Sequence, residues 1–337
     1  MTRPSPLACG SGGAPRVAIF SDEIGWHVDR VEEALRRRGA LGVCVDLADC
    51  DVDTTASAHG LAIPGFGSSL PDAALVRGLA GGSFEQVTKR LAVLHALREL
   101  GVPVYNDARA IERSVDKATA SLLLHQAGLP TPPTWTSESR ARAQAVVDRE
   151  LGAGHSLVVK PLFGSQGRGL MRLEPQAGQR VMLPELDARH GALIYLQRYV
   201  PCIDATAHDW RVLVVGGRVC AAMRRVGTGW IHNIAQGARS EPAHPEPALA
   251  ALALQAGQAL GLDYAGVDLM VGAQGPVVLE VNGVAAWRGL QSVTQVDVAQ
   301  CIVDDLLTRR LAWGRAGPGP RLEAANDAPR ASRLPHA

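Results

Sequence analysis

Two acidic residues and an asparagine interrupt apolar runs near the carboxyl end of the chain. Asp268 lies within residues 266–270, and Glu280 and Asn282 lie within residues 278–282. The runs predict adjacent strands, and a three-residue hairpin loop would set Asp268 opposite Glu280, with Asn282 on the same face. Buried paired carboxylates require cations, and oxygen ligands suit Mg²⁺. These side chains predict a metal site, although a solvated hairpin edge would also explain the acids.

A glycine-rich loop follows a predicted strand in the middle of the chain. The strand ends in Lys160, and the loop contains glycines at 164, 167 and 169. Glycine lets backbone N–H groups face phosphate oxygens without hindrance from a Cβ atom, and Lys160 would add a point charge. The loop lacks the Gly-Lys-Ser/Thr ending of a Walker A motif and the following helix of a dinucleotide motif. A phosphate-binding loop and an ordinary hairpin turn both fit the pattern.

A third group of polar residues lies at the ends of predicted strands between these motifs. Asp209 and Arg211 begin one strand, Arg224 and Arg225 end the next, and Asn233 follows. Charged residues at strand ends can line a site in an α/β protein, and they are equally common on an ordinary surface. This group supports a site only in combination with the first two.

The first hundred residues predict a small α/β lobe. A strand at 16–20, a helix at 28–38 and a strand at 41–47 form a βαβ unit, which requires parallel strand pairing. A helix at 83–100 and a strand at 102–105 complete the lobe. A parallel sheet is therefore expected at this end of the chain.

The remaining residues predict a mixed α/β domain that is entered through a proline-rich hinge. A helix at 114–127, with Ser114 as its N-cap, precedes three prolines within 129–133, which cannot continue a helix. Further helices are predicted at 141–151, 247–260 and 296–309, and strands at 156–160, 193–199, 210–215, 218–223, 264–271 and 276–281.

Taken together and in this order, the motifs resemble the ATP-grasp superfamily and, within it, the RimK-type α-L-glutamate ligases. The resemblance covers roughly residues 84–310. It is carried by residues 116–117, 128–132, 160–169, 196–200, 209–217, 222–225, 233, 265–268 and 280–282. It implies an α/β (α+β) ATP-grasp fold behind a parallel pre-ATP-grasp lobe. The expected divisions are a disordered 1–14, a pre-ATP-grasp domain at 15–113, an ATP-grasp domain at 114–312 and a disordered tail at 313–337. Within the ATP-grasp domain, the lid lobe spans about 129–196 and the C-terminal lobe about 197–312.

The resemblance also implies a nucleotide site. Lys117 and Lys160 would contact the phosphates and the adenine side, and the loop would fold over the β- and γ-phosphates. Backbone groups near Tyr199 would hold the adenine edge, and Asp209 would bind the ribose. The complete predicted ATP-binding set is Lys117, Lys160, Gly164, Ser165, Gln166, Gly167, Gly169, Arg198, Tyr199 and Asp209.

Metal and catalytic residues follow from the same resemblance. Two Mg²⁺ ions, with Mn²⁺ as an alternative, would be held by Asp268, Glu280 and Asn282. Catalysis is assigned to Arg225, Asn233 and Lys160. The implied reaction joins a carboxylate to an amine through an acyl phosphate, with glutamate added to a pterin or to a protein or peptide carboxylate.

Three departures from the family pattern bear on the substrate. Arg198 stands where the family has glutamate, and Ile231 stands where close relatives have a basic residue. After Asn282 the usual Ser-Pro-Gly is absent, and residues 287–291 (WRGLQ) resemble ligases that act on tetrahydromethanopterin. A dipeptide- or glutathione-type ligase and a non-catalytic nucleotide-binding regulator therefore remain open alternatives.

Composition excludes several other classes. The 337 residues are 47% hydrophobic with a net charge of +1, which argues against a nucleic-acid partner. No continuous apolar run approaches a membrane span of about 18 residues, and the first residues lack the apolar core of a signal peptide. Scattered cysteines without a CxxC pair predict reduced thiols. We expect a cytoplasmic enzyme with small-molecule carboxylate and amino-acid substrates, and a homo-oligomer is one possibility.

Overall fold

The computed structural model describes residues 13–311 except 56, 165 and 205. Of the segments expected to be disordered, 1–14 lies outside the described residues apart from 13 and 14, and 313–337 lies wholly outside them. Across the described part of the chain, the helices are too short or too polar to span a membrane.

The N-terminal lobe is a parallel sheet flanked by helices. The sheet order is β2-β1-β5-β6, and each neighbouring pair is parallel. The elements are β1 (Arg16–Phe20), α1 (Trp26–Arg37), β2 (Leu41–Val45), β3 (Asp51–Val52), β4 (Leu61–Ala62), β5 (Ala73–Val76), α2 (Phe84–Glu99), β6 (Val104–Tyr105) and α3 (Ala108–Val115). The predicted βαβ unit is confirmed. The sequence interpretation missed β5, which lies between β1 and β6.

The helix predicted at 114–127 is confirmed over Lys117–Gln126, but its predicted start with Ser114 as the cap is wrong. Ser114 belongs to the last turn of α3, and the next helix, α4 (Lys117–Gln126), begins after Asp116. The Asp116 carboxylate accepts hydrogen bonds from the backbone N–H groups of Ala118 (2.9 Å) and Thr119 (3.2 Å). Aspartate in extended backbone is a strong N-cap, so it ends one helix and begins another.

A four-stranded antiparallel sheet forms the lid lobe. Its order is β7-β10-β8-β9, and helix α5 packs against it. The elements are β7 (Thr134–Ser137), α5 (Arg140–Gly152), β8 (Leu157–Lys160), β9 (Met171–Leu173) and β10 (Ile194–Arg198). The glycine-rich loop joins β8 to β9.

A five-stranded antiparallel sheet with the order β13-β12-β11-β14-β15 forms the C-terminal lobe. The elements are β11 (His208–Val215), β12 (Arg218–Val226), β13 (Arg239–Pro242), α6 (Pro247–Leu260), β14 (Tyr264–Gly272), β15 (Gly275–Asn282), α7 (Arg288–Gln291) and α8 (Val298–Asp305), which continues as wider π-helical turns over Leu306–Leu311. Helix α6 is apolar along most of its length and covers the sheet. The helix predicted at 296–309 starts later because Asp297 caps it.

The N-terminal and C-terminal lobes share one hydrophobic core. Leu35 and Leu75 belong to the same buried cluster as Leu213 and Ile302. Across this junction the Tyr105 and Tyr264 rings stack at 5.7 Å between centroids. Burial of this apolar surface fixes the N-terminal lobe beside the sheet that carries the polar residues.

Candidate active site

The hairpin formed by β14 and β15 brings the three predicted metal ligands onto one face. Asp268 pairs with Glu280, and Gly266 pairs with Asn282. The hairpin turn is one residue shorter than predicted, because Gly272 pairs with Gly275, and a register shift after Asp268 compensates. Asp268, Glu280 and Asn282 consequently line one cavity. The predicted pairing is confirmed, and a β-bulge produces it.

Asp268 is buried between two arginines. Arg211 donates to it through Nε and through Nη2, the latter at 2.9 Å, and Nη2 of Arg225 lies 3.0 Å away. Arg225 also donates to both carboxylate oxygens of Asp209, at 2.7 and 2.6 Å. Burial opposes ionisation, but Arg211 and Arg225 hold the pKa of Asp268 below its ordinary value. We call this alternating row of Asp209, Arg225, Asp268 and Arg211 the guanidinium wall.

Glu280 is more open and faces two lysines. Lys117 Nζ lies 3.9 Å from Glu280 Oε1 and donates to the Gly164 carbonyl at 2.7 Å. Lys160 donates to Oε1 of Gln197 at 2.6 Å. Burial lowers the pKa of Lys160 to about 8, with Glu280 acting in the opposite direction. We call Lys117, Lys160 and Glu280 the lysine wall.

The glycine-rich loop lies against the segment that carries Asn233. A Cβ atom at Gly167, where φ is +70°, would lie 2.6 Å from Oδ1 of Asn233, so only glycine fits there. The Gln236 amide donates to the Gln166 carbonyl at 3.2 Å, and His190 contacts the Gly169 carbonyl at 2.9 Å. Ser165, which the sequence placed in the nucleotide set, lies outside the described residues.

One narrow cavity is bordered by Leu170, which follows the last glycine of this loop, and by Asn233. Arg172 lies over the Tyr199 ring at 3.9 Å, and Trp230 meets Tyr199 edge to face at 6.2 Å. The volume is about 90 Å³, below the roughly 300–1,000 Å³ typical of small-molecule sites. A nucleotide would fit in this cavity only if the cavity widened. The lining includes Val158, Lys160, Gln197, Arg198, Tyr199, Asp209, Trp230, Ile231, Asn233, Asp268 and Glu280.

A second, wider cavity of about 590 Å³ is lined by the same hairpin side chains, Asp268 and Glu280, and also by Asn282. Its walls come from the N-terminal lobe at Asp22 and Glu23, and from α7 at Arg288 and Gly289. Four residues line both cavities: Arg225, Asn233, Asp268 and Glu280. This shared wall is where groups bound in the two cavities can meet.

Most predicted site residues lie around these two cavities, with two unexpected orientations. Arg198 donates twice to Glu150 of α5, at 3.1 and 2.6 Å, so its guanidinium is held within the lid lobe. Asp209 uses both oxygens on Arg225, and its assignment to the ribose stays a prediction.

The sequence interpretation assigned no specific role to four residues of the site, although it named Arg211 within the third polar group. The alternation of Asp209 with Arg211 puts both on one strand face, a signal that could have identified Arg211. Gln197 lines the narrow cavity from β10. Asp22 and Glu23 line the wide cavity because the N-terminal lobe packs against the C-terminal lobe. The sequence carries no signal for this packing.

Comparison with known proteins identifies the class. The family model for the RimK-like ATP-grasp domain matches residues 114–306, and the model for the RimK pre-ATP-grasp domain matches residues 16–111. The chain belongs to the RimK-like ATP-grasp family. It is an ATP-dependent carboxylate–amine ligase, as the sequence predicted, and such ligases use ATP and Mg²⁺.

Individual relatives agree with this assignment. The tetrahydromethanopterin:α-L-glutamate ligase of Methanococcus maripaludis is 35% identical over 208 residues, 61% of this chain and 70% of that protein. A probable α-L-glutamate ligase of Citrobacter koseri is 33% identical over 292 residues, 84% of this chain and 93% of that protein. The ATP-grasp ligase PsnB, solved with a minimal precursor, Mg and ADP, is 24% identical with a TM-score of 0.63, covering 89% of this chain and 98% of that chain. This last similarity supports the fold alone.

Proposed function

We propose that this ligase joins the amino group of an amino acid, with glutamate as the first candidate, to the carboxylate of a small molecule. A pterin acceptor and a peptide acceptor are the two classes to test. Relatives named as glutamate ligases support the amine, and a relative named for tetrahydromethanopterin supports the pterin. The assignment of domains to 15–113 and 114–312 is part of the same proposal.

The shared wall between the two cavities is the observation that carries this proposal. Arg225, Asn233, Asp268 and Glu280 border both the narrow cavity and the wide one. A γ-phosphate in the first could therefore reach a carboxylate in the second. Bringing two reactants together in this way accounts for much of the rate of a transfer that needs no protein nucleophile.

The reaction has two balanced steps. The acceptor carboxylate attacks the γ-phosphorus of ATP, which gives an acyl phosphate and ADP. The amine, as its free base, attacks the acyl carbon, inorganic phosphate leaves, and the amine loses its proton. Lys117 and Lys160 balance the phosphate charge, while the loop residues Gly164, Gln166, Gly167 and Gly169 close over the phosphates.

Arg225 is placed to stabilise the negative oxygen that forms during the second step. Its Nε and Nη2 are held by Asp209 and Asp268. Among the hydrogen bonds between described residues, none uses Nη1 of Arg225. A donor fixed in place before the reaction stabilises developing charge without reorganisation. Asn233 borders both cavities and is the second candidate for this role.

The hairpin residues suit magnesium. Within the described ranges, no hydrogen bond involves the side chain of Asn282, and Glu280 makes one ion pair, at 3.9 Å. Two oxygen side chains with free lone pairs beside a third, Asp268, match the ligands that Mg²⁺ prefers. We assign two ions, with Mn²⁺ as an alternative, to Asp268, Glu280 and Asn282. Such ions would supply charge neutralisation at the phosphates.

A ligation assay tests the proposal. Purified protein is incubated with ATP, Mg²⁺ and glutamate plus a pterin or a peptide acceptor, and ADP and the mass of the product are measured. We expect ADP formation that depends on both substrates, and an acceptor that gains one or more residues. Glu280→Gln should lower the rate by about three orders of magnitude, because it removes a charge from the proposed metal site.

Glu99→Gln is the matched control, since Glu99 is exposed at the end of α2. Loss of activity in this variant as well would point to a general fault in the preparation. Wild-type turnover in Glu280→Gln would refute the metal assignment. Nucleotide binding without any product across all acceptors would favour a regulatory protein.

A further inference from the structure

The wide cavity is lined by three exposed charged side chains that form no ion pair or side-chain hydrogen bond with any residue the structure describes. Its cations are Arg211, Arg225 and Arg288, and the first two are neutralised by Asp268 and Asp209. Arg288 takes part in none of the ion pairs or side-chain hydrogen bonds between described residues. The same is true of the carboxylates of Asp22 and Glu23. A cavity with one free cation and two free anions suits a ligand that carries both signs.

The acidic side of the cavity is built by local structure. Ser21 Oγ donates to the Glu23 carbonyl at 2.7 Å and accepts from the Glu23 N–H at 3.3 Å, which fixes the turn after β1. The Asp22 carboxylate lies against the backbone of Gly78, where any side chain would clash with it. Gly78 therefore leaves the space that Asp22 fills.

Contacts between α7 and α1 position Arg288, the free cation of the cavity among the described residues. The backbone N–H of Trp287 donates to Nε2 of His27 at 3.1 Å, which holds the start of α7 against α1. Arg77 packs over the buried Trp287 ring at 4.3 Å. The Arg288 guanidinium lies 5.9 Å from the centre of the Trp26 ring, within reach of a cation–π contact. Two aromatic residues and a histidine thus position Arg288 at the cavity wall.

We propose that Arg288 binds the α-carboxylate of the amino-acid substrate and that Asp22 with Glu23 binds its ammonium group. The cavity volume of about 590 Å³ is within the range for a small ligand. Arginine pairs with carboxylate through two parallel hydrogen bonds, and carboxylates accept from ammonium. Arg225 and Asn233, on the shared wall, border the same cavity. This assignment rests on the proposed function and adds to it the residues of the N-terminal lobe and α7 that select the amine.

Binding to nucleotide-loaded protein tests the two contacts separately. The full chain is saturated with AMPPNP and Mg²⁺ and titrated by calorimetry with L-glutamate, with 4-aminobutanoate, which lacks the α-carboxylate, and with 2-hydroxyglutarate, which lacks the ammonium. Wild type should prefer glutamate by about tenfold or more over each analogue. Titrations with L-lysine and L-alanine extend the test to other side chains.

Each variant should lose the preference for glutamate over one analogue and keep the preference over the other analogue. Arg288→Gln should bind glutamate about tenfold more weakly and no longer discriminate against 4-aminobutanoate. The double variant Asp22→Asn with Glu23→Gln should lose discrimination against 2-hydroxyglutarate. AMPPNP affinity should stay within about twofold in both, because the contacts are made only to the amino acid. Arg288→Lys should recover part of the glutamate affinity.

Matched controls are Arg142→Gln and Asp49→Asn, since both residues are exposed and lie outside this cavity. Unchanged preferences in the cavity variants, or no wild-type binding of any amino acid, would overturn the inference. If the wild-type protein ligates and the cavity variants keep the wild-type preference for glutamate, the inference is overturned and the proposed function stands. Binding that follows the predicted pattern without product in the ligation assay would overturn the function alone.

Discussion

The guanidinium wall and the lysine wall face the same site with different chemistry. In the first, Arg225 and Arg211 grip buried carboxylates through two nitrogens each. In the second, Lys117 and Lys160 contact carbonyl oxygens of the loop and of Gln197, through a single nitrogen. Arginine holds a fixed planar fork, whereas lysine is a mobile point charge. The comparison indicates that one wall is built before substrates arrive and that the other can exchange its contacts for phosphates.

Removing Arg225 should have the largest effect. Arg225→Met leaves Asp209 and Asp268 buried without their shared partner, which costs about 3–5 kcal/mol in the free energy of unfolding. Ligation should become undetectable as well. Urea unfolding followed by circular dichroism measures the first effect and ADP release the second.

Lys117→Met, in the lysine wall, should affect activity without the loss of stability expected for Arg225→Met. It should abolish nucleotide-dependent turnover while changing the free energy of unfolding by no more than about 1 kcal/mol, as expected of a single exchangeable ion pair. Equal destabilisation by Arg225→Met and Lys117→Met would mean that both walls are structural, and the comparison would fail.

The pH dependence of nucleotide binding tests the lysine wall, because Lys160 should titrate in a range where the arginines of the guanidinium wall do not. Burial lowers the pKa of Lys160 to about 8, so the free protein loses the ammonium charge as pH rises through 8. Phosphates favour the charged form, and nucleotide binding at pH 8.5 should therefore take up a proton. Affinity should fall by about tenfold between pH 7 and pH 9, following the protonated fraction.

Calorimetry of AMPPNP binding in buffers of different ionisation enthalpy measures this uptake. Lys160→Met should bind more weakly and show no proton uptake at pH 8.5. Uptake that persists in this variant would assign the titration to another group. The guanidinium wall should make no contribution over this range, since arginine stays protonated.

His27 lies near two arginines that are not part of the guanidinium wall, Arg77 and Arg288, and it provides a second pH test. Burial, Arg77 and Arg288 lower the pKa of His27 to about 4. The unfolded chain takes up a proton near pH 6.5 while the folded protein resists it, so stability falls as pH drops from 6.5 towards 4. Partial exposure of His27 limits the expected loss to about 1–2 kcal/mol.

Urea unfolding at pH 7.5 and pH 5.0 measures this loss. His27→Gln keeps an acceptor for the backbone N–H of Trp287 and should remove this part of the pH dependence. An identical pH dependence in the variant would show that other acids and bases account for it.

Local sequence patterns predicted the elements that hold the site. Alternation over 264–271 and 276–281 placed Asp268 opposite Glu280, and the apolar pattern over 247–260 predicted α6 with its exact bounds. Strands β7, β9 and β13 were missed because they are short and lie at or near sheet edges, where periodicity is weak. Their positions depend on pairing with β10, β8 and β12.

Pairings between strands that are distant in the chain could not be predicted from the sequence. The predicted cations for Asp268 were metal ions, and the structure adds Arg211, which faces Asp268 across the β11–β14 pairing. That register is a tertiary property, since β11 and β14 are separated by β12, β13 and α6. The Asp116 cap was also overlooked in favour of Ser114, because both types cap helices and only backbone geometry distinguishes them.

The Arg198–Glu150 pair should show the smallest effect, and it concerns one of the departures from the family pattern that the sequence suggested. Arg198 occupies a position where the family has glutamate, but its guanidinium pairs with Glu150, which Arg149 also contacts at 3.1 Å. Because Arg198 is partly exposed and Arg149 remains, Arg198→Gln should cost no more than about 1 kcal/mol in the free energy of unfolding. AMPPNP affinity should change by less than about threefold, since the side chain holds α5 to β10. Arg149→Gln is the matched control, and a large loss of nucleotide affinity in Arg198→Gln alone would mean that this guanidinium turns to the base when nucleotide binds.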